Sequence, residues 1–217
     1  STQTITNGID VTGKGAMVWL KRRNDLSLHT IVDTNRGATN LISSNTTGGQ
    51  INDSTFVSAF TSSGFSVGSD FFVNGNGSNY VSWTFRKAPK FFDVVTYTGD
   101  GVSTGRNVNH ALGVKPGLII VKRTDSTSAW AVIARDSVSG GNYVGGVTST
   151  PFALNLTNAR TWYGGGSAAS ATQFNVCHLQ LDDTTNFSAD FNVNGATYVA
   201  YLFAHDTTSD GIIQCGS

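Results

Sequence analysis

The chain of 217 residues carries 14 Lys and Arg against 14 acidic residues, every one of them aspartate, so its formal charge is zero. Without glutamate, and with 25 glycines beside abundant Thr, Ser, Asn, Val and Phe, it is written in strand and turn residues, which argues against long helices. The neutral balance argues against a nucleic-acid binder, and no run of about 18 apolar residues is present to insert in a membrane.

Taken in order, STQTITNGID lacks the charged start and apolar centre of a signal peptide. AMVWLKRR (16–23) and SLHTIVDT (27–34) alternate with period two and read as strands, and NLISSNTT (40–47) as a third. Lys21, Arg22 and Arg23, like Arg86, Lys87 and Lys90 later, are short basic clusters that read as solvated edges. DTNRG (33–37) and SDFF (69–72) offer turn oxygens of the kind calcium takes, although Asp and Asn in turns more often cap their own backbone. In YVSWTF (80–85), Val81, Trp83 and Phe85 share one face, which is expected to meet a core.

FFDVVTYTGDG (91–101) is a connector, after which the chain repeats itself. GLIIVKRT (117–124) matches AMVWLKRR and SAWAVIAR (128–135) matches SLHTIVDT, both at an offset of 101, NYVGGVTS (142–149) approximates NLISSNTT, and NGATYVAYLF (194–203) matches the end of copy one at an offset of 118. Four matches in one order point to a tandem duplication, with 118 minus 101, or 17, extra residues expected in the middle of copy two. Asn194-Gly195 predicts a type I′ hairpin into the last strand, with Val199, Tyr201 and Phe203 on the buried face. The fold expected is all-β: two tandem β-sandwich, jelly-roll-like repeats, 1–92 and 93–217. GIIQCGS (211–217) then stands where a further unit begins or where a last strand returns to the first, and the chain reads as part of a longer array.

Three strings, Asn194–Phe203, Ile119–Arg123 and Val94–Gly101, together resemble tandem domains of large virion proteins of tailed bacteriophages, particularly marine ones, often labelled tail-fibre or structural proteins. The resemblance implies a β-sandwich module on the outer, extracellular face of a virion appendage, with other virion proteins or copies of itself as partners. It implies no enzyme and supplies no ligand residues.

Chemistry is sparse. His29, His110, His178 and His205 occur singly, without zinc-ligand spacing, so no metal and no cofactor is expected. Cys177 and His178 are sequence neighbours and would point to opposite faces of a strand, while Cys177 and Cys215 form at most one disulfide that spacing does not decide. Glycoside hydrolysis would have to rest on aspartates such as the neighbours Asp182 and Asp183. The expectation is therefore not an enzyme. The candidate recognition loop is NLTNARTWYGGGSAAS (155–170), taken as the extra stretch of copy two, where Trp162 and Tyr163 offer ring faces and Arg160 a donor to a host surface polysaccharide. A lectin-like module is thus the alternative to a purely structural one.

Overall fold

A computed structural model of the chain describes residues 1–102, 106–135, 143–144, 152–154, 169–176, 191–205, 207–209, 212–213 and 215. The chain is all-β and forms two sandwich-like compact units, Ser1–Lys87 and Ala88–Ser217. The division falls ahead of the 92/93 boundary read from sequence, because Ala88 bridges to Phe92 and so belongs with the strand that follows.

Unit 1 contains β1 (Gln3–Thr6), β2 (Ala16–Arg22), β3 (His29–Asp33), β4 (Gly37–Ser43), β5 (Ile51–Asn52), β6 (Val57–Thr61), β7 (Gly64–Val67), the single turn α1 (Phe71–Asn74) and β8 (Tyr80–Arg86). They form two antiparallel sheets, β5-β4-β3-β2-β8 and β1-β7-β6. Period two sends Val18, Leu20, Val32 and Leu41 from the larger sheet against Val57, Phe65 and Val67 from the smaller, and these form one buried cluster. α1 starts where the Asp70 carboxylate accepts from the Phe72 amide at 2.7 Å, so the SDFF aspartate is an N-cap.

Unit 2 contains β9 (Phe92–Thr98), β10 (Arg106–Asn109), β11 (Pro116–Arg123), β12 (Ala131–Arg135), β13 (Tyr143–Val144), β14 (Phe152–Ala153), β15 (Gln173–Val176) and β16 (Thr197–Ala204). The larger sheet runs β13-β12-β11-β16-β9 with β14 also pairing β12, and β10 pairs β15 in the smaller. Ile119, Val121, Tyr198, Ala200 and Leu202 meet Val108, Phe174 and Val176 in its core.

The two units share their registers. Met17↔Phe85, Trp19↔Trp83 and Lys21↔Val81 become Leu118↔Phe203, Ile120↔Tyr201 and Lys122↔Val199, holding the offsets 101 and 118 throughout. Met17↔Asp33 to Leu20↔Thr30 likewise become Leu118↔Ala134 to Val121↔Ala131. The smaller sheets repeat too, since Ile5↔Phe65 and Gln3↔Val67 have the counterparts Val108↔Phe174 and Arg106↔Val176. That last match, GFSV with QFNV, escapes a reading of the sequence because only two of its four residues are alike.

Four expectations are corrected. β14 places Phe152 opposite Val132, where Ile42 stands opposite Ile31, so Phe152-Ala153 and not a part of NYVG is the counterpart of Ile42-Ser43. The offset there is already 152 minus 42, or 110, and it is 174 minus 65, or 109, at β15, so the extra residues fall before β14 and between β15 and β16 rather than at 155–170. Asn194-Gly195 forms no type I′ hairpin, because Gly195 has φ +76° and Asn194 is not among the residues of positive φ, and because β16 pairs with β11 and β9 rather than with the segment before it. Finally, the sandwich core lies on the other face of β8: Val81 and Phe85 are half-buried and Trp83 is 46 % exposed, while Val199, Tyr201 and Phe203 are buried. The alternation was right, but it does not say which of two faces meets the second sheet.

Candidate functional site

Arg160, Trp162 and Tyr163 lie outside the described residues, as do Cys177, His178, Asp182 and Asp183. Cys215 carries a free thiol that donates to the Ala204 carbonyl at 3.3 Å, and burial raises its pKa, the opposite of what a nucleophile needs. Among the described residues no group of three or more His, Cys or Asp side chains is placed to hold a metal ion.

The Lys-Arg pairs are not solvated edges. Lys122 is fully buried, its Nζ donating to the Arg123 carbonyl at 2.7 Å, and burial lowers its pKa to about 8, with Arg123 adding to the effect and Asp125 opposing it. Arg123 grips Asp125 with Nε at 2.8 Å and Nη2 at 3.1 Å. In unit 1 Lys21 Nζ reaches the Arg22 and Asp25 carbonyls, and Arg22 pairs with Asp25 at 3.2 Å while its guanidinium lies 4.0 Å above the Phe71 ring. Each pair thus locks the turn that follows its strand, which leaves these four charges turned to the protein rather than to a polyanion.

The DTNRG turn is closed in a similar way. Buried Asp33 receives Arg36 Nε at 2.6 Å and the Arg36 amide at 2.9 Å, and the same guanidinium donates to the Asn40 carbonyl. With its carboxylate held by an arginine, Asp33 belongs to the turn and not to a calcium site.

What stands out is an aromatic patch on the outer face of the larger sheet in unit 1, made by facing positions on β2, β3 and β8. Trp19 and Trp83 are cross-strand partners with ring centroids 6.1 Å apart at 68°, and Trp19 meets His29 at 6.1 Å and 64°. Burial and the nearby Lys21 hold the His29 pKa below its usual value, which favours the neutral ring. Trp19 Nε1 is buried with no hydrogen-bond partner among the described residues. The register places Ile120, Tyr201 and Trp130 at the same three positions of unit 2, where Trp130 stacks on Tyr201 at 6.5 Å and Tyr201 on Phe92 at 6.5 Å. There the tryptophan is 0 % and the tyrosine 1 % exposed. One position in the repeat is therefore closed in one unit and open in the other.

The fold and this face define an all-β protein of two register-matched sandwich units. The chain belongs to a family described as a domain of unknown function (DUF7483), whose model matches residues 1–211 and so takes in both units. No curated protein and no solved structure matches it significantly.

Proposed function

We propose that the chain is a non-enzymatic structural module of a virion appendage such as a phage tail fibre, in which repetition of one sandwich builds length and surface. The observation that carries this reading is the shared register of the two units, down to the Lys-Arg lock after the matched strands β2 and β11. Selection for the same ladder twice suits a part whose task is geometric. The phage-like strings support the placement on a virion. Immunogold labelling of purified particles of the encoding phage, with antibodies raised to the chain, is expected to decorate a tail appendage. Particles left unlabelled by antibodies that recognise the chain in lysates of infected cells would end this reading.

A second, lectin-like reading is favoured by the half-exposed Trp83 beside Trp19, a flat apolar surface of the kind sugars cover. Together with Arg160, Trp162 and Tyr163 it gives two places for host surface polysaccharide. A glycan array with the parent, the Trp83→Ala chain and a Trp162→Ala/Tyr163→Ala chain tests it. Binding is expected for the parent and loss in one variant, and no binding by the parent removes the reading.

A further inference from the structure

In unit 2 the strand β16 is covered along its outer edge by β9, from Thr197↔Thr98 to Phe203↔Phe92. In unit 1 the corresponding strand, β8, is the end of its sheet. Strand parity shows which groups this leaves open. Asn79 accepts from Arg23 and Lys87 donates to Gly15, so odd residues of β8 point at β2 and the even ones point away from it. The N–H and C=O groups of Tyr80, Ser82, Thr84 and Arg86 thus line an edge that no described strand pairs. Their counterparts Tyr198, Ala200, Leu202 and Ala204 face β9, as the Ala204 amide bonded to the Phe91 carbonyl shows. β8 also lacks the usual protections of an edge strand: it contains no proline and no lysine, and Arg86 is its one charged residue.

We propose that the outer edge of β8 takes up a strand of β9 chemistry, the pattern FFDVVTYTGD, from another repeat unit of this family, adding it to the sheet antiparallel. The register fixes the pairing. Positions equivalent to Tyr97, Val95 and Asp93 fall opposite Tyr80, Ser82 and Thr84, those equivalent to Val94 and Phe92 opposite Trp83 and Phe85.

Two further observations point to this occupant. Phe92 contacts Tyr201 at 6.5 Å and Phe203 at 5.1 Å, so a phenylalanine in its place would lie against the positions of Trp83 and Phe85, and Trp83 is the residue left 46 % exposed in unit 1. The end of the strand has its receiver as well. In unit 2 the TGDG turn is held by Asn192, whose Nδ2 donates to Asp100 at 2.6 Å and to the Val102 carbonyl at 3.2 Å. Asn74 occupies the same position, 118 residues earlier, and donates to the Ser1 carbonyl at 2.8 Å, the position 101 residues before Val102. The inference stands on this register and not on the virion reading, so either can fail alone.

The test uses the whole chain and a labelled peptide FFDVVTYTGD. Fluorescence anisotropy is expected to register binding, and hydrogen exchange to slow at the Ser82 and Thr84 amides. Within β9 the odd residues face the partner strand. N-methylation at the Val95 and Tyr97 positions of the peptide should therefore weaken binding about tenfold or more, and methylation at Val94 and Thr96 should leave it within about twofold. The protein is unaltered in these comparisons, so misfolding cannot imitate the result. Absence of binding, equal loss from both methylated peptides, or protection confined to Ala200 and Leu202, meaning exchange with the chain's own β9, would each overturn the proposal. Glycan binding at Trp83 with no effect of the peptide on the edge amides would overturn it in favour of the lectin-like reading.

Discussion

Trp83 and Tyr201 hold one position in the repeat, yet Trp83 is 46 % exposed and Tyr201 1 %. Removing Tyr201 empties a closed core, so Tyr201→Ala is expected to cost about 3–5 kcal/mol in urea unfolding. Trp83→Ala removes half-covered surface and should cost about 1–2 kcal/mol. Equal costs would mean that Trp83 is sealed in solution. Lys122 sets a pH dependence of definite sign. Its ammonium is destabilised by burial, so the folded pKa of about 8 lies below the ordinary 10.5, and between these values the unfolded chain binds more protons. Stability must then rise with pH from about 8 to 10.5, where the buried charge is relieved. The Lys122→Met chain should lack that rise. Denaturant midpoints of parent and variant across this window, compared as a difference so that tyrosine titrations cancel, check it; identical profiles would place Lys122 in water.

Among the elements, the β3–β4 turn is tied together by a single side chain. Arg36 neutralises Asp33, which is fully buried, and ties the turn to Asn40 and Gln50. Arg36→Ala leaves that carboxylate without its charge partner, a loss of about 3–5 kcal/mol when the pair is buried. A melting temperature unchanged by Arg36→Ala would show that water reaches Asp33. The sequence carried the strands β2, β3, β8, β11, β12 and β16 clearly, because period-two alternation with β-branched and aromatic residues is a local signal. It did not carry β1, β7, β10 and β15, whose four-residue ladders offer only one or two apolar residues each, Ile5, Phe65 with Val67, Val108, and Phe174 with Val176. It misled at Asn194-Gly195, since the turn there is shaped by distant partners: the Gly195 amide donates to the Gly99 carbonyl and Asn192 clasps Asp100. Propensity sees neighbours in sequence, and this turn answers to β9.

For the whole molecule, the duplication was legible because it preserves register, and register tolerates no slip where one face is buried. The open face of unit 1 was not legible, since exposure depends on which strands are paired at an edge and not on the residues of the edge itself. The same whole-chain view bears on catalysis. Glutamate is absent, and each described aspartate already holds a turn or a cation: Asp10 takes the Gly13 amide, Asp53 both groups of Thr55, Asp70 caps α1, Asp93 accepts from Val94 and Ala111, and Asp100 and Asp125 hold Asn192 and Arg123. At Asp53, Asp100 and Asp125 the hydrogen bonds stabilise the ionised form and lower the pKa, whereas a general acid for glycoside cleavage needs a raised one. The purified chain is accordingly expected to release no reducing sugar from host surface polysaccharide, at any pH from about 4 to 8. Reducing-end assays over long incubations measure this directly. Turnover abolished by changing one aspartate, with the melting temperature kept, would overturn the non-enzymatic reading and locate an acid among the remaining carboxyls.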